Sequence, residues 1–113
     1  MPTNWSDDIV VVELEDEPSL SDELSSVADR LKAEPNRHVV LDCSRVTYLN
    51  SSNIGQLLKL RKILMDAGQQ MRLCGVTDAV WTLMLATGLD KVFVFAPDPL
   101  TALAGLQLEG ASE

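Results

Sequence analysis

Histidine and cysteine are scarce in this chain of 113 residues, and their scarcity excludes several kinds of chemistry. His38 is the one histidine and begins an expected strand, so a Ser-His-Asp triad cannot be assembled without forcing it. No glycine-rich phosphate loop is present either. Cys43 and Cys74 each follow a short strand-like run, and neither has a second cysteine or a histidine at metal-ligand spacing. We therefore interpret them as buried, reduced thiols, and expect neither an enzyme nor a cofactor.

Long apolar runs and positive charge are also in short supply. No run approaches the roughly 18 residues of a membrane span, and residues 1–8 lack the basic and apolar regions of a signal peptide. We expect a cytoplasmic protein without membrane insertion. Nine Lys and Arg residues against 17 Asp and Glu residues give a net charge of −8. Nucleic acids require a positive surface, so this balance excludes them as partners and favours a basic protein surface.

The remaining composition is that of a globular domain, with 46% hydrophobic and 23% charged residues. Patterns typical of strands and helices alternate along the chain. Strands are expected over residues 8–15, 38–41, 69–76 and 92–95, and helices begin near residues 19, 52, 78 and 99. This alternation predicts an α/β fold, with a mainly parallel sheet of four to five strands and helices packed on it. We expect one domain over residues 1–113, with its core at about 8–107 and a short flexible tail at 108–113.

Two of the expected helices begin with residues that favour capping. Ser19-Leu20-Ser21-Asp22 has the spacing of a capping box. Asn50, Ser51 and Ser52 follow a buried strand and carry short side chains that accept hydrogen bonds from the first N–H groups of a helix. In parallel sheets, function gathers in loops at the carboxyl ends of strands. The serines are therefore either plain caps or functional hydroxyls at the positive end of a helix.

The helix expected from Ser52 to Ala67, with Gly68 as its stop, has an apolar arc wider than packing on one face of a sheet needs. The arc contains Ile54, Leu57, Leu58, Leu60, Ile63, Leu64, Met65 and Ala67. It covers either a neighbouring helix or a partner. Arg61 falls inside this arc, where an arginine snorkels out of the core or pairs with a carboxylate of a partner.

Two segments of the chain resemble the STAS domain family, whose simplest members are anti-sigma factor antagonists. Residues 41–46 and 49–55 are similar to the family's strand, its D-x-S-x-V segment and its D-S-S-G-x-G phosphorylation loop. Residues 85–93, Leu-Ala-Thr-Gly-Leu-Asp-Lys-Val-Phe, resemble the segment that leads to the last strand of the family. The resemblance extends over most of the chain, from His38 to about Leu106, and the segments follow in the expected order and spacing.

The resemblance implies a switch protein that regulates transcription. By analogy, an anti-sigma factor that is also an ATP-dependent serine kinase phosphorylates Ser51, the first serine of the loop. The unphosphorylated antagonist binds that kinase and frees the sigma factor, and the phosphorylated form releases the kinase. ATP belongs to the partner, so this chain needs no cofactor. The predicted partner-binding residues are Asn50, Ser51, Ser52, Asn53, Ile54, Leu57, Leu58 and Arg61.

The chain departs from the family pattern at three places. Asn50 replaces the acid before the phosphoserine, and Asn53 replaces a glycine and tolerates unusual backbone angles less easily. One strand is expected before Ser19 where the family often has a hairpin, so the sheet edge is short or is completed by another subunit, as in a weak homodimer. A constitutive STAS adaptor of a lipid-transport ABC complex or signalling assembly is the alternative function, and nucleotide binding at the helix start is a third.

Overall fold

The strands form one mainly parallel sheet in the computed structural model, which describes residues 3–5 and 9–111. Within these residues five strands lie in chain order. They are β1 (Thr3–Trp5), β2 (Ile9–Glu15), β3 (His38–Arg45), β4 (Met71–Cys74) and β5 (Val94–Ala96). β1 pairs antiparallel with β2, and every other neighbouring pair is parallel. The predicted fold class is confirmed.

The helices cover both faces of this sheet. They are α1 (Ser19–Ala33), α2 (Ser51–Asp66), α3 (Asp78–Thr87) and α4 (Pro99–Ala111), with a short 3-10 helix (Leu89–Lys91) after α3. Leu24 of α1, Leu60 of α2 and Met84 of α3 share one buried cluster with β2, β3 and β4. α4 packs on the other face, where Ala102 and Leu106 contact a second cluster. β3 is therefore covered on both sides, as its apolar run predicts.

The amino-terminal edge differs from the prediction of a single strand before Ser19. Thr3, Asn4 and Trp5 pair with Val12, Val11 and Val10, so this chain supplies its own two-stranded start. A segment of three residues is too short to show a period of two, and the pairing partner alone defines it. The second subunit proposed to complete this edge is not needed for the hairpin.

Several element bounds also differ from the expected ones. β3 continues beyond Leu41 to Arg45, because it pairs with β2 as far as Glu15. The last strand begins at Val94 and not at residue 92, since the N–H groups of Val92 and Phe93 both donate to the carbonyl of Leu89. α4 runs to Ala111, so the expected tail at 108–113 is helical at 108–111. The predicted stop after α2 is confirmed, because Gly68 has a φ of 74°.

Candidate partner-binding site

The loop between β3 and α2 (residues 46–50) lies at the carboxyl edge of the sheet and is held from both sides. On one side the backbone N–H and hydroxyl of Thr47 donate to the two carboxylate oxygens of Asp16, at 2.8 and 2.7 Å. On the other side the hydroxyl of Thr77 donates to the carbonyl of Val46 at 2.8 Å. Leu49 is buried in the core beneath the loop. Neighbouring loops and the core therefore fix the position of this segment.

α2 begins directly after this loop with a reciprocal pair of asparagines. The side-chain oxygen of Asn50 accepts from the N–H of Asn53 at 2.8 Å, and the side-chain oxygen of Asn53 accepts from the N–H of Asn50 at 3.0 Å. This is a capping box, and it confirms Asn50 as the cap of the helix. Ser51 and Ser52 are instead the first two helical residues, and both are exposed. Their hydroxyls are left for other contacts.

Asn53 joins α2 to the start of α1 through its buried side chain. It is 0% exposed, and its amide nitrogen donates to a carboxylate oxygen of Glu17 at 2.9 Å. The replacement of the family's glycine by Asn53 requires no unusual backbone angle, because Asn53 lies in regular helix and no described non-glycine residue has a positive φ. The role of Asn53 in the cap was missed, although the spacing of Asn50 and Asn53 is that of a capping box.

Glu17, the hydrogen-bond partner of Asn53, was not predicted from the sequence. One of its carboxylate oxygens accepts from the N–H of Ser21 at 2.8 Å, and the Ser21 hydroxyl donates to the other. The predicted capping box of Ser19 to Asp22 is therefore wrong, since Pro18 occupies the cap position and its side chain cannot accept. Hydrogen bonds from the hydroxyl of Ser21, from Asn53 and from the backbone of Ser21 lower the pKa of the Glu17 carboxyl.

Acid is expected to weaken the junction that Asp16 and Glu17 form with the β3–α2 loop and the start of α2. The pKa of Asp16 is lowered by the hydroxyl and the backbone N–H of Thr47, and the pKa of Glu17 is lowered as described above, from ordinary values of 3.8 and 4.5. A carboxyl whose folded pKa is lowered contributes stability above its unfolded pKa and loses it as the pH falls through the folded value. We therefore expect the melting temperature to fall from pH 5 to pH 3, and to fall less in Asp16→Asn. Thermal melts across this range measure the difference, and Asp29→Asn, an exposed site on α1, is the control. Equal slopes in the native protein and Asp16→Asn would contradict this role of Asp16.

The eight predicted partner-binding residues do not share one surface. Ser51, Ser52 and Leu58 are exposed, and Asn50 and Ile54 are half-buried. Asn53 and Leu57 are buried in the domain, so the prediction of direct side-chain contact is corrected for both, and they position the helix instead.

Arg61 lies ten residues after Ser51, about 15 Å along the helix. Its side chain is half-buried, and its Nε donates to the carbonyl of Val92 at 3.2 Å. Arg61 therefore binds the backbone near the amino end of β5, whereas the loop follows the carboxyl end of β3.

The exposed face of α2 explains its wide apolar arc. Leu57, Leu60 and Leu64 are buried, whereas Leu58 and Met65 are exposed. Residues seven apart on a helix lie nearly on one line, so Ser51, Leu58 and Met65 form a stripe. We define the α2 stripe as Ser51, Gly55, Leu58, Lys62 and Met65, all of which are exposed. The arc thus has a core part and an outward part.

Asp42 and Cys43 lie in the second half of β3. The side chain of Asp42 accepts from the N–H of Ser44 at 3.0 Å. Cys43 and Cys74 are buried free thiols, which confirms their interpretation. Burial, together with the carboxylates of Asp42 and Asp98, raises the pKa of Cys74 to about 12, and burial also raises the pKa of Cys43. Thiols with raised pKa values hold little thiolate at neutral pH and are poor nucleophiles.

Within residues 3–5 and 9–111, no group of three or more His, Cys, Asp or Glu residues is placed to hold a metal ion. No helix there combines the length and the apolar character that crossing a membrane requires.

The fold and this loop define a small α/β domain with an exposed serine at the start of a helix. The family model of the STAS domain matches residues 7–102, so the chain belongs to the STAS domain family, and the resemblance of its motifs is confirmed.

Similar proteins come from several bacteria. The anti-sigma F factor antagonist of Paenibacillus polymyxa is 28% identical over 71 residues, which are 63% of this chain and 61% of that relative. The structure of RsbS from Moorella thermoacetica has a TM-score of 0.83 at 19% identity and covers 97% of both chains. The Bacillus cell fate determinant SpoIIAA in its phosphorylated form has a TM-score of 0.69 at 14% identity, covering 91% of this chain and 96% of its own. At these identities the two structures show a common fold.

Proposed function

We propose that this protein is an anti-sigma factor antagonist switched by phosphorylation of Ser51. Unphosphorylated, it binds an anti-sigma factor that is also a serine kinase, and phosphorylated, it releases that partner and so regulates transcription. The observation that carries the proposal is the exposed hydroxyl of Ser51 at the first position of α2, after a loop held by Asp16 and Thr77. The antagonist from P. polymyxa and the phosphorylated form of SpoIIAA support it by analogy.

A phosphate at Ser51 is compatible with the fold. It adds roughly −1.5 to −2 charges and three acceptor oxygens. The first N–H groups of a helix and its dipole favour an anion at this end. The hydrogen bonds that hold the junction run between Asn50 and Asn53, Asn53 and Glu17, and Thr47 and Asp16, and none of them uses Ser51. The domain therefore keeps its structure in both states.

The α2 stripe gives the switch a surface to act on. Leu58 and Met65 supply exposed apolar area, and Lys62 supplies a charge between them. Apolar area removed from water on docking is the main favourable term for association. Ser51 heads the stripe, so a phosphate there places charge and bulk at the edge of the contact. Removing this charge from water costs free energy, and the partner is released.

A carboxylate lies near Ser51 even though Asn50 replaces the acid of the family motif. The acid expected before the phosphoserine is missing, but Glu17 comes from the loop after β2 and contacts Asn53, three residues after Asn50. Glu17 is ionised at neutral pH, and its hydrogen bonds lower its pKa further. A negative charge therefore lies beside the start of α2, supplied by another segment of the chain. This supports recognition of the loop by a kinase that expects an acidic neighbour.

Ser51→Glu is expected to weaken binding to the purified anti-sigma kinase at least about tenfold, corresponding to about 1.4 kcal/mol. Ser51→Ala is expected to bind like the native protein. The melting temperature of Ser51→Glu changes little, because an acid at a helix start is compatible with the dipole. The partner is first captured from host lysate with the three forms as bait and identified by mass spectrometry, and its affinity is then measured by calorimetry.

Ser26→Glu is the matched control, since it adds the same charge at an exposed serine of α1 outside the predicted partner-binding residues. With ATP and the kinase, the native protein is expected to gain one phosphate and Ser51→Ala none. The proposal fails if the Glu form binds the kinase as tightly as the native form, or if Ser51→Ala is still phosphorylated.

A constitutive adaptor is the second candidate. It is favoured by Asn50 in place of the family's acid and by the exposed apolar residues Leu58 and Met65, which suit a permanent interface. In this case the native, Ala and Glu forms retain the same transporter or scaffold subunit with equal affinity. Ser51 is then only a contact.

A further inference from the structure

A second docking feature lies at the carboxyl edge of the sheet, where β4 and β5 end. A cleft of about 300 Å³ is lined there by Gly75, Val76, Trp81, Phe95, Ala96 and Pro97. Trp81 is 37% exposed and belongs to neither buried cluster. Its ring meets that of Phe95 edge to face, with centroids 5.1 Å apart and an interplanar angle of 83°. The cleft therefore presents an accessible aromatic wall.

Gly75, one of the lining residues, lies close against the side chains of β3. Gly75 has a φ of 64°, and a Cβ at this position would lie 3.3 Å from a carboxylate oxygen of Asp42 and 3.2 Å from the Cβ of Ser44. Its N–H donates to the carbonyl of Ala96 at 3.2 Å and closes the end of the sheet. The cleft is thereby joined to the end of β3, from which the loop to Ser51 departs.

Two carboxylates lie next to residues that line the cleft, and a third lies on the helix that carries Trp81. Asp42 approaches Gly75 as described, Asp98 follows the lining residue Pro97, and Asp78 lies three residues before Trp81, on the same side of α3. The side chain of Asp98 accepts from the N–H of Thr101 at 2.7 Å, and this hydrogen bond lowers its pKa. None of the residues that line the cleft is charged, so the carboxylates form a rim outside the aromatic lining. The cleft is thus aromatic with an acidic rim, in a chain of net charge −8.

We propose that this cleft binds an arginine side chain of the protein partner. A guanidinium is planar, stacks on aromatic faces and pairs with carboxylates, so it matches both the indole of Trp81 and the acidic rim. Lysine fits less well, because its ammonium is strongly hydrated and is not planar. The partner is the anti-sigma kinase, so this inference rests on the proposed function. It assigns that partner a basic anchor beside the surface that contacts Ser51.

Acetyl-arginine amide tests the cleft without the partner. Titrated into the ¹⁵N-labelled domain, it is expected to shift the indole N–H of Trp81 and the amides of Gly75 and Val76. Acetyl-citrulline amide has nearly the same shape but no charge, and it is expected to leave the chemical shifts of these three groups unchanged. Asp98→Asn keeps an acceptor for the cap of α4 and loses the charge, so it should raise the dissociation constant about threefold. Asp29→Asn is the control for net charge and should have no effect.

A second experiment uses the complex of the domain with the anti-sigma kinase. Trp81→Leu is expected to weaken binding of the purified anti-sigma kinase about tenfold while the melting temperature stays near the native value. If the kinase distinguishes Ser51→Glu but not Trp81→Leu, the cleft is not an anchor and the proposed switch stands. If acetyl-arginine amide fills the cleft but no anti-sigma kinase binds the native protein, the proposed function is wrong and the arginine site stands. Equal shifts with arginine and citrulline would overturn the site.

Discussion

Asn53→Ala is expected to reduce the free energy of unfolding by about 2–3 kcal/mol and the melting temperature by about 10–15 °C. The side chain of Asn53 is fully buried and has two roles, as acceptor from the N–H of Asn50 and as donor to Glu17. Loss of a cap costs about 1 kcal/mol, and a polar group left without its partner adds about 1–3 kcal/mol. Denaturant unfolding followed by circular dichroism measures the change.

Two further variants test whether the loss of stability comes from these hydrogen bonds or from any substitution at the start of α2. Ser52→Ala alters the neighbouring exposed residue and should change stability by less than about 0.5 kcal/mol. Asn53→Asp keeps an acceptor for the cap but places a carboxylate against Glu17. It should be unstable at neutral pH and recover as the pH falls, since the protonated acid can donate to Glu17 again. If Asn53→Ala were as stable as Ser52→Ala, the junction would not hold α1 and α2 together.

Leu60→Ala is expected to lower the free energy of unfolding far more than Leu58→Ala, although both truncate a leucine on α2. Leu60 is 0% exposed and packs in the large cluster, so its truncation should cost about 3 kcal/mol through lost burial and the cavity left behind. Leu58 is 38% exposed, and its truncation should cost less than about 0.5 kcal/mol. Calorimetric and chemical unfolding of the pair test this difference.

Binding is expected to reverse the order of the two variants. Leu58 belongs to the α2 stripe, so Leu58→Ala should weaken association with the anti-sigma kinase about fivefold, by about 1 kcal/mol. Leu60→Ala should bind normally at temperatures where it remains folded. If Leu58→Ala binds like the native protein, the partner contacts Ser51 without using the stripe.

Local signals were sufficient for most of the fold. The apolar run that begins β3, the asparagine at position 50 and Gly68 each carry their own preference, and these preferences agree with the tertiary structure. β1 was missed because its three residues become a strand only by pairing with β2. Val92 and Phe93 are apolar and suited to a strand, yet the preceding 3-10 helix takes their N–H groups.

The candidate site shows where sequence patterns lose information. The serines were found because they follow a buried strand, which is a local feature. The partner of Asn53 is Glu17, 36 residues earlier, and no periodicity links the two. The resemblance and the apolar arc placed Leu57 and Arg61 among the partner-binding residues, but Leu57 faces the core and Arg61 contacts Val92. Which part of an apolar arc is covered depends on the helices beside it, and a helical pattern does not show this.

The anchoring of the β3–α2 loop has a kinetic consequence. Asp16 and Thr77 hold this segment in the free domain, so its conformational freedom is already lost on folding and docking needs little further ordering. The binding surface is therefore preorganised, and the backbones of the free and bound forms should superpose within about 1 Å. Under the proposed phosphorylation of Ser51, we expect the two states to differ in charge and not in shape. We expect such a switch to respond as fast as phosphate is added or removed, with no slower rearrangement of the chain in between.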